Sequence, residues 1–268
     1  MNKPLLSHEI PKQLFPYHDL INSYSYVLAH LLLKGTEHYD EEYASFYKKK
    51  LKTSKLSYLD NACFELGDSI DYKKLYELGE EYKPTHLVLP DCLHDAKVTK
   101  ERALQYLGEF KSTPKLIGVV QGKTYDEIAD MVNFFCDISE VDIIAIPFDI
   151  MKVAIPSEFS EEMKKIWRIK VMKECVIPTL KGRKKLHLLG CASVFEFGLY
   201  SSYDMENIYS IDTSAPIIYG WSGISLSKCK LETPKPKDKL AENLDIVLSE
   251  EQINLITENI HFFRTLFN

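Results

Sequence analysis

Short apolar runs alternate with charged segments of helical spacing through most of this 268-residue chain, and this alternation restricts the possible folds more than any other feature. The apolar runs lie at 26–32, 56–59, 86–89, 116–120, 142–146, 186–189, 208–211 and 217–221. The predicted helices between them lie at 72–82, 99–110, 125–135 and 160–176. Continuous apolar strands separated by helices are typical of a parallel sheet covered on both faces. Eight strands favour a single-domain α/β fold, a (β/α)8 barrel, with a doubly wound open sheet as the alternative.

The barrel is expected to occupy residues 1–230, followed by a linker and a C-terminal helix in residues 231–268. The segment 231–244 carries several lysines and prolines, which is typical of a linker. Ser249 and Gln252 have the spacing of a capping box at the start of a helix. Apolar residues then recur at helical spacing, so this helix is expected to pack on the barrel through Ile253, Ile256, Ile260 and Phe263.

The composition is that of a globular protein, with 45% hydrophobic residues and a net charge of −6. The chain has no run of eighteen apolar residues, and its first residues lack a continuous apolar core. Neither a membrane span nor a signal peptide is therefore expected, and the expected location is the cytoplasm. The six cysteines form no CxxC pair and no cluster with histidine at zinc spacing, so they are predicted to be free thiols.

Polar side chains follow four of the predicted strands directly. Asp60 follows LSYL, Asp91 follows HLVLP, Gln121 follows LIGVV, and Asp212 ends the strand at 208–211. Because parallel strands end at the same rim of a barrel, these side chains are predicted to converge there. A simpler role stays open for each of them, since Asp commonly caps turns and a Gln-Gly pair suits a polar turn.

Such a group of side chains suits chemistry on a purine nucleoside. A carboxylate and a carboxamide can pair in plane with the donors and the acceptor of a guanine edge. Two further carboxylates that face one sugar fit retaining glycosyl transfer, in which one attacks the anomeric carbon and the other handles the proton of the base.

Four motifs at these strand ends resemble, in the same order, those of the tRNA-guanine transglycosylase superfamily. They are LDNACFELG, LPDCLHDAKVTKERA, GVVQGKTYDEIADM and LHLLGCASVFEFGLYSSYDMENIYSIDTSAP, within about residues 55–220. The sequence is most similar to the phage-type 7-deazaguanine DNA transglycosylases. For such a protein the cytoplasm would be that of the host cell.

The resemblance implies a role for each strand-end residue. Asp212 would be the nucleophile that forms a covalent glycosyl-aspartate, and Asp60 would be the general acid/base. Asp91 and Gln121 would hydrogen-bond the purine edge, and Phe64 or Cys92 would sandwich its ring. The remaining residues expected at the base site are Asn61, Gly122 and Pro147, the last within the segment IAIPF. No metal ion and no redox cofactor would take part.

Departures from the tRNA enzymes favour DNA as the polymer. Cys229 stands alone where those enzymes carry three cysteines and a histidine for zinc, so the zinc subdomain is expected to be missing. The arginine-bearing motif after the nucleophile is replaced by TSAPIIYGW. Two lysine clusters are interpreted as phosphate contacts, although a charge run is more often a solvated face. The residues assigned to DNA binding are Lys48, Lys49, Lys50, Lys52, Lys184 and Lys185.

The sequence thus predicts an enzyme that exchanges guanine in DNA for a 7-deazaguanine base such as 7-cyano-7-deazaguanine. Two alternatives remain: base exchange in tRNA, and a barrel that binds nucleic acid or a partner without catalysis. The hypothesis requires that Asp60 and Asp212 face one cavity and that neither carboxylate is held in an ion pair.

Overall fold

The structure is a computed structural model that describes residues 3–152, 155–191, 193–200, 202–236 and 238–267. Its strands are β1 Leu5–Ser7, β2 Ser25–Val27, β3 Ser57–Leu59, β4 His86–Val88, β5 Lys115–Val119, β6 Val141–Pro147, β7 Lys185–Leu189 and β8 Ile208–Asp212. They form one parallel sheet in the order β1-β8-β7-β6-β5-β4-β3-β2. The two edges meet where the Ser23 N–H donates to the Leu6 carbonyl at 2.8 Å. The sheet is therefore a nearly closed barrel, as the sequence predicts.

Helices connect the strands and cover the outside of the barrel. They are α1 His18–Ile21, α2 Glu41–Lys50, α3 Cys63–Leu66, α4 Tyr72–Tyr82, α5 Ala96–Glu109, α6 Tyr125–Asp137, α7 Glu161–Lys165, α8 Trp167–Val171, α9 Ile177–Leu180, α10 Ser202–Asn207, α11 Ala215–Trp221 and α12 Glu250–Thr265. Short 3-10 helices occupy Lys12–Tyr17, Ala29–Leu32, Val194–Leu199, Leu226–Lys228 and Leu240–Glu242, and Met172–Val176 is a π-helical turn.

The longer helices begin where the sequence supplies side-chain caps. Asp71 caps α4, Asp95 caps α5, and Thr124 caps α6 in a reciprocal capping box with Glu127. The predictions for α4, α5 and α6 are therefore correct to within a few residues. The predicted helix at 160–176 is instead a series of short helices, α7, α8 and the π-helical turn, which α9 continues.

Two of the eight predicted strands differ from the structure. The run 217–221 lies in helix α11, and all seven residues of that helix are buried. A helix that is buried on every side carries no polar face, so its apolar run resembles a strand. The eighth strand of the barrel is instead β1. It has only three residues, which is too short an apolar run to be recognised in the sequence. The predicted strand at 26–32 is β2 followed by a 3-10 helix.

The chain after residue 230 contributes to the wall of the barrel. Ser249 and Gln252 form the predicted capping box of α12, which packs on α11 at Gly220, where a Cβ atom would meet Ile256 at 2.5 Å. Three leucines of the preceding segment are buried, and the carbonyl of one of them, Leu244, accepts the Lys12 N–H at 2.9 Å. The segment predicted as a linker is therefore fixed to the barrel. Within the described ranges, no helix is long and apolar enough to cross a membrane.

Candidate active site

A cavity of about 480 Å³ opens at the end of the barrel where the strands terminate. Its lining includes one side chain from each of the four strand ends singled out in the sequence: Asp60, Asp91, Gln121 and Asp212. All four are buried, between 1% and 8% exposed. The predicted convergence of these residues at one rim is therefore what the fold produces.

Asp212 is the last residue of β8 and is held from one side. Its Oδ1 accepts the Gly190 N–H at 3.1 Å and lies 3.0 Å from His187 Nε2, although that nitrogen is not aligned for a hydrogen bond. Among the described residues, no lysine or arginine forms an ion pair with Asp212 or Asp60, and nothing donates to Asp212 Oδ2. Within the described part of the chain, one oxygen of this carboxylate is thus free of donors.

Asp60 follows β3 and accepts one hydrogen bond on each oxygen. Tyr26 Oη donates to Oδ1 and the Ala62 N–H donates to Oδ2, both at 2.9 Å. Ala62 has a φ of 60°, a left-handed conformation, in the turn that directly follows Asp60. The pKa of Asp60 is raised to about 6, chiefly by burial and also by nearby Asp212 and Asp91, against the effect of the two hydrogen bonds. A carboxyl group with such a pKa suits proton transfer near neutral pH.

Asp91, Gln121 and Asn61 form a connected polar wall. Asp91 Oδ1 accepts from Asn61 Nδ2 and its Oδ2 accepts from Gln121 Nε2, both at 2.7 Å. Gln121 Oε1 in turn accepts the His94 N–H at 2.9 Å. Burial raises the pKa of Asp91, while the bonds from Asn61 and Gln121 oppose the rise. Each oxygen of Asp91 retains a further lone pair, so the group can still accept donors from a bound base.

The side chain of Asn61 makes its hydrogen bonds within this wall and not to a ligand. Its Nδ2 also donates to the Leu89 carbonyl at 2.6 Å, and its Oδ1 accepts the Cys63 N–H at 2.9 Å. Both amide hydrogens and the carbonyl oxygen are therefore engaged within the protein.

Of the other residues predicted at the base site, Phe64 and Pro147 line the cavity, whereas Cys92 and Gly122 are not part of its lining. Phe64 is 54% exposed, and its ring meets the Phe148 ring edge-on at 5.4 Å. The two rings form an aromatic lip on which a base can stack. The interpretation of Cys92 as a stacking residue is not supported by its position, because its neighbours Asp91 and Leu93 line the cavity and Cys92 does not.

Glu9 and Glu65 are two further carboxyl groups in the cavity that were not among the predicted site residues. The pKa of Glu9 is raised to about 8, chiefly by burial and also by nearby Asp212 and Asp60. Burial also raises the pKa of Glu65 well above its usual range, with Asp60 and Glu9 contributing. The buried Oε2 of Glu65 has no hydrogen-bond partner among the described residues. Glu9 was missed because it follows the unrecognised strand β1, and Glu65 because it lies within the short helix α3.

A buried ion pair supports the strand ends behind Asp212. Arg168 of α8, itself 1% exposed, donates to both carboxylate oxygens of Glu196 at 2.7 and 3.0 Å. The same guanidinium donates to the carbonyls of Ile146, Leu189 and Gly190, each at 2.9 Å. It therefore joins the ends of β6 and β7 and fixes the peptide that carries the Gly190 N–H. The Ile146 carbonyl, within the segment IAIPF that contains Pro147, is engaged in this way.

The first lysine cluster lies at the opposite end of the barrel from the cavity. Helix α2 ends at Lys50 and β3 begins at Ser57, so the chain between them lies where the strands start. Lys48 Nζ pairs with Glu81 Oε1 at 2.6 Å, and Lys50 pairs with Asp19. Lys49 and Lys52 are exposed on the same end.

The second lysine cluster lies at that end too, because it directly precedes and begins β7. Lys184 Nζ donates to the carbonyls of Val141 and Ile138 at 2.6 and 3.1 Å, and Lys185 lies over the Tyr209 ring at 4.2 Å. The expectation that these clusters grip DNA beside the target nucleotide is therefore at odds with their position. Among the residues that the structure describes, the lysines that line the cavity are Lys235 and Lys239.

Within the described ranges, no three His, Cys, Asp or Glu side chains are grouped as a metal site. Cys229 Sγ, the lone cysteine of the region where the tRNA enzymes bind zinc, contacts the Ser225 carbonyl at 3.3 Å.

No protein-family model and no curated protein matches the sequence. Solved structures do match, and one of them is a crystal structure of a "putative fructose-1,6-biphosphate aldolase" from Coccidioides immitis. It has a TM-score of 0.51 and 8% identity, and the alignment covers 99% of this chain and 91% of that one. At such identity the likeness shows the fold alone. The chain is thus a single-domain (β/α)8 barrel with a carboxylate-rich cavity at its strand ends.

Proposed function

We propose that the chain exchanges the base of a guanine nucleoside residue for a 7-deazaguanine, through a covalent intermediate on Asp212. The observation that carries the proposal is that Asp212 and Asp60 line one cavity whose wall also holds the joined pair Asp91 and Gln121. The four residues agree with the roles that the resemblance to guanine transglycosylases implies.

In the proposed reaction, Asp212 Oδ2 attacks the anomeric carbon while the bond from that carbon to the base nitrogen breaks. The departing guanine takes a proton from Asp60. The entering base gives its own N–H proton to the Asp60 carboxylate as that nitrogen attacks the same carbon, which releases Asp212 with net retention. Asp60 suits both proton transfers because its pKa of about 6 lies near the working pH. Asp91 and Gln121 would hold either base by its pairing edge.

DNA is the first candidate for the polymer, because the zinc cluster and the arginine motif of the tRNA enzymes are missing from the sequence. A nucleotide within DNA would have to leave its stack to enter the cavity. Phe64 and Phe148 at the lip offer it a stacking surface.

A free guanine nucleoside is the second candidate, and the charge of the cavity favours it. Of the described lining residues, eleven are Asp or Glu and two are Lys. Burial keeps Glu9 and Glu65 protonated near neutral pH, but the remaining carboxylates still outnumber the lysines. Such a negative surface repels the phosphates of a polymer, whereas an uncharged nucleoside is unaffected. Both lysine clusters lie too far away, at the other end of the barrel, to offset this repulsion.

One assay separates these possibilities. The protein is incubated with radiolabelled guanine and with DNA, tRNA or deoxyguanosine, and incorporation of label is measured for the wild type, Asp212→Asn and Asp60→Asn. The proposal expects incorporation into one of the three acceptors by the wild type and none by Asp212→Asn. Incorporation into deoxyguanosine but not DNA would select the second candidate. The absence of label from all three acceptors would contradict base exchange. The remaining interpretation would then be a barrel that binds nucleic acid or a partner without catalysis.

A further inference from the structure

His187 of β7 lies directly beneath Asp212, inside the barrel. Its side chain is fully buried, with Nε2 at 3.0 Å from Asp212 Oδ1 and Nδ1 at 3.0 Å from Ser210 Oγ. Ser210 Oγ lies 3.0 Å from Tyr58 Oη, so the imidazole ends a chain of polar groups that crosses the barrel interior. A polar side chain in such a position requires partners for both nitrogens, because an unpaired buried polar atom is unfavourable.

Two stacked rings, those of Tyr26 and His187, lie against the carboxylates of Asp60 and Asp212. Tyr26 donates to Asp60 Oδ1 at 2.9 Å, and its ring stacks on the His187 ring with centroids 5.8 Å apart and planes 23° from parallel. Tyr24 and Tyr58 pack edge-on against the same imidazole, at 6.4 and 5.3 Å. This packing on three sides keeps the imidazole from rotating away, so its Nε2 stays at the carboxylate of Asp212.

The tautomer follows from the neighbours. If Nδ1 accepts the Ser210 hydroxyl hydrogen, Nε2 carries the imidazole proton and faces a carboxylate oxygen, which is favourable. The opposite tautomer would direct the Nε2 lone pair at Asp212 Oδ1, which is repulsive. The Gly190 N–H donates to the same oxygen, and His187 Nε2 lies beside it without being aligned for a hydrogen bond, so both nearby nitrogens are on the Oδ1 side and none of the described residues donates to Oδ2.

We infer that His187 is a positioning residue for the covalent step: its Nε2, buried 3.0 Å from Asp212 Oδ1 and unaligned in the resting protein, becomes the donor that holds this oxygen when the nucleoside enters, so that Oδ2 is the atom that attacks the sugar. The inference rests on the proposed base exchange. His187 does not touch the substrate in this arrangement, and it acts only through Asp212. Because it also stacks on Tyr26, it sets Asp212 relative to Asp60, which the reaction requires on the other side of the nucleoside.

Three substitutions separate this role from a structural one. In His187→Gln the amide nitrogen can occupy the place of Nε2, in His187→Asn it can occupy only that of Nδ1, and His187→Phe keeps the ring but neither nitrogen. The rate of adduct formation on Asp212 is measured with the acceptor identified by the exchange assay. A guanine analogue whose glycosidic nitrogen is replaced by carbon is added to prevent the reverse step. Guanine affinity and thermal unfolding are measured on the same variants.

The inference predicts that His187→Gln forms the adduct at a rate close to that of the wild type. Both His187→Asn and His187→Phe should be slower by roughly 100-fold, the usual effect of losing a donor to a reacting charged group. Guanine affinity should change by less than about twofold in all three, because the base contacts Asp91 and Gln121 instead. Full adduct rates in His187→Asn and His187→Phe, or a His187→Gln variant as slow as they are, would overturn the inference.

NMR of the imidazole nitrogens in the resting protein tests the contact without any activity. The inference requires the proton of His187 on Nε2, and a proton found on Nδ1 alone would overturn it. Failure of the proposed function would give a different result from failure of this inference, because the wild type itself would then form no adduct with any acceptor.

Discussion

Gln121 Nε2 donates to Asp91 Oδ2 at 2.7 Å, and through this bond two strand ends present one planar polar surface to the cavity. Asp91 accepts from Asn61 on its other oxygen, so its carboxylate is fixed in orientation before any ligand enters. A carboxylate fixed in this way can accept the two adjacent N–H groups of guanine without losing further conformational freedom.

Asp91→Asn should therefore weaken guanine binding by roughly 100-fold, because the new amide turns a donor toward Asn61 or Gln121 and removes a charged acceptor. The measurement is calorimetric titration with guanine. Cys92→Ala is the control, since Cys92 is the next residue but does not line the cavity. Equal affinity in Asp91→Asn and the wild type would contradict the assignment of this surface to the base.

The rate of adduct formation should depend on the protonation of Asp60. Its pKa is raised to about 6, so the fraction able to donate a proton is largest below that pH and falls about tenfold per unit above it. Single-turnover rates measured across this range should decline on the alkaline side in the wild type. Asp60→Asn should be slow at every pH and should lack this decline. A wild-type rate that stays constant through the range would exclude Asp60 as the acid.

Glu9→Gln should stabilise the protein at high pH. The folded pKa of Glu9 is about 8, above its ordinary value of 4.5, so the folded state binds this proton more tightly than the unfolded chain does. Stability is therefore lost as the pH rises between these two values, by an amount on the order of a few kcal/mol. Urea unfolding should show Glu9→Gln equal to the wild type at about pH 4 and more stable at about pH 8. Glu158→Gln, at an exposed position, is the control and should show no such difference.

Arg168→Met should destabilise the fold by roughly 3–5 kcal/mol, because it leaves the carboxylate of Glu196 buried without its partner. Adding Glu196→Gln should recover part of this loss, since the buried charge is then removed. Urea unfolding measures both effects. Arg183→Met, which removes an exposed ion pair with Asp137, should change stability by less than about 1 kcal/mol. A loss for Arg168→Met no larger than that of the control would contradict the proposed role of the buried pair.

The lysines near the start of the strands should have no part in the exchange. The triple variant Lys48→Ala, Lys49→Ala, Lys52→Ala should keep kcat/KM within about twofold of the wild type, because these side chains lie at the far end of the barrel. Lys235→Ala should alter it, since Lys235 lines the cavity and its Nζ donates to the Cys191 carbonyl at 3.1 Å. If the triple variant instead loses activity on DNA and its salt dependence flattens, the original interpretation of the clusters is correct.

The strand-end residues could be predicted from the sequence because the evidence for them is local. Asp60, Asp91, Gln121 and Asp212 each follow an apolar run directly, and the geometry of parallel strands brings such positions to one rim. Glu9 could not be found in this way, because the strand before it contains three residues. The role of His187 could not be predicted either. A histidine within an apolar run has no distinguishing sequence pattern, and its contact with Asp212 arises only from the pairing of β7 with β8.

The other errors have physical causes as well. The sequence of helix α11 predicts a strand because the helix is buried on all sides, and hydrophobic periodicity is informative only where one face is exposed. The position of the lysine clusters was available from the sequence, since a segment that leads into a strand lies at the end of the barrel opposite its strand ends. Charge alone does not carry that information.

The central claim is that Asp212 becomes covalently attached to the sugar. The most direct test is mass spectrometry of the denatured protein, followed by peptide mapping. The protein is first incubated with the acceptor that the exchange assay identifies and with the guanine analogue whose glycosidic nitrogen is replaced by carbon. The account predicts an added glycosyl group on the peptide that contains Asp212, and its loss in Asp212→Asn. An unmodified wild-type protein under conditions where exchange proceeds, or a group attached to another residue, would contradict it.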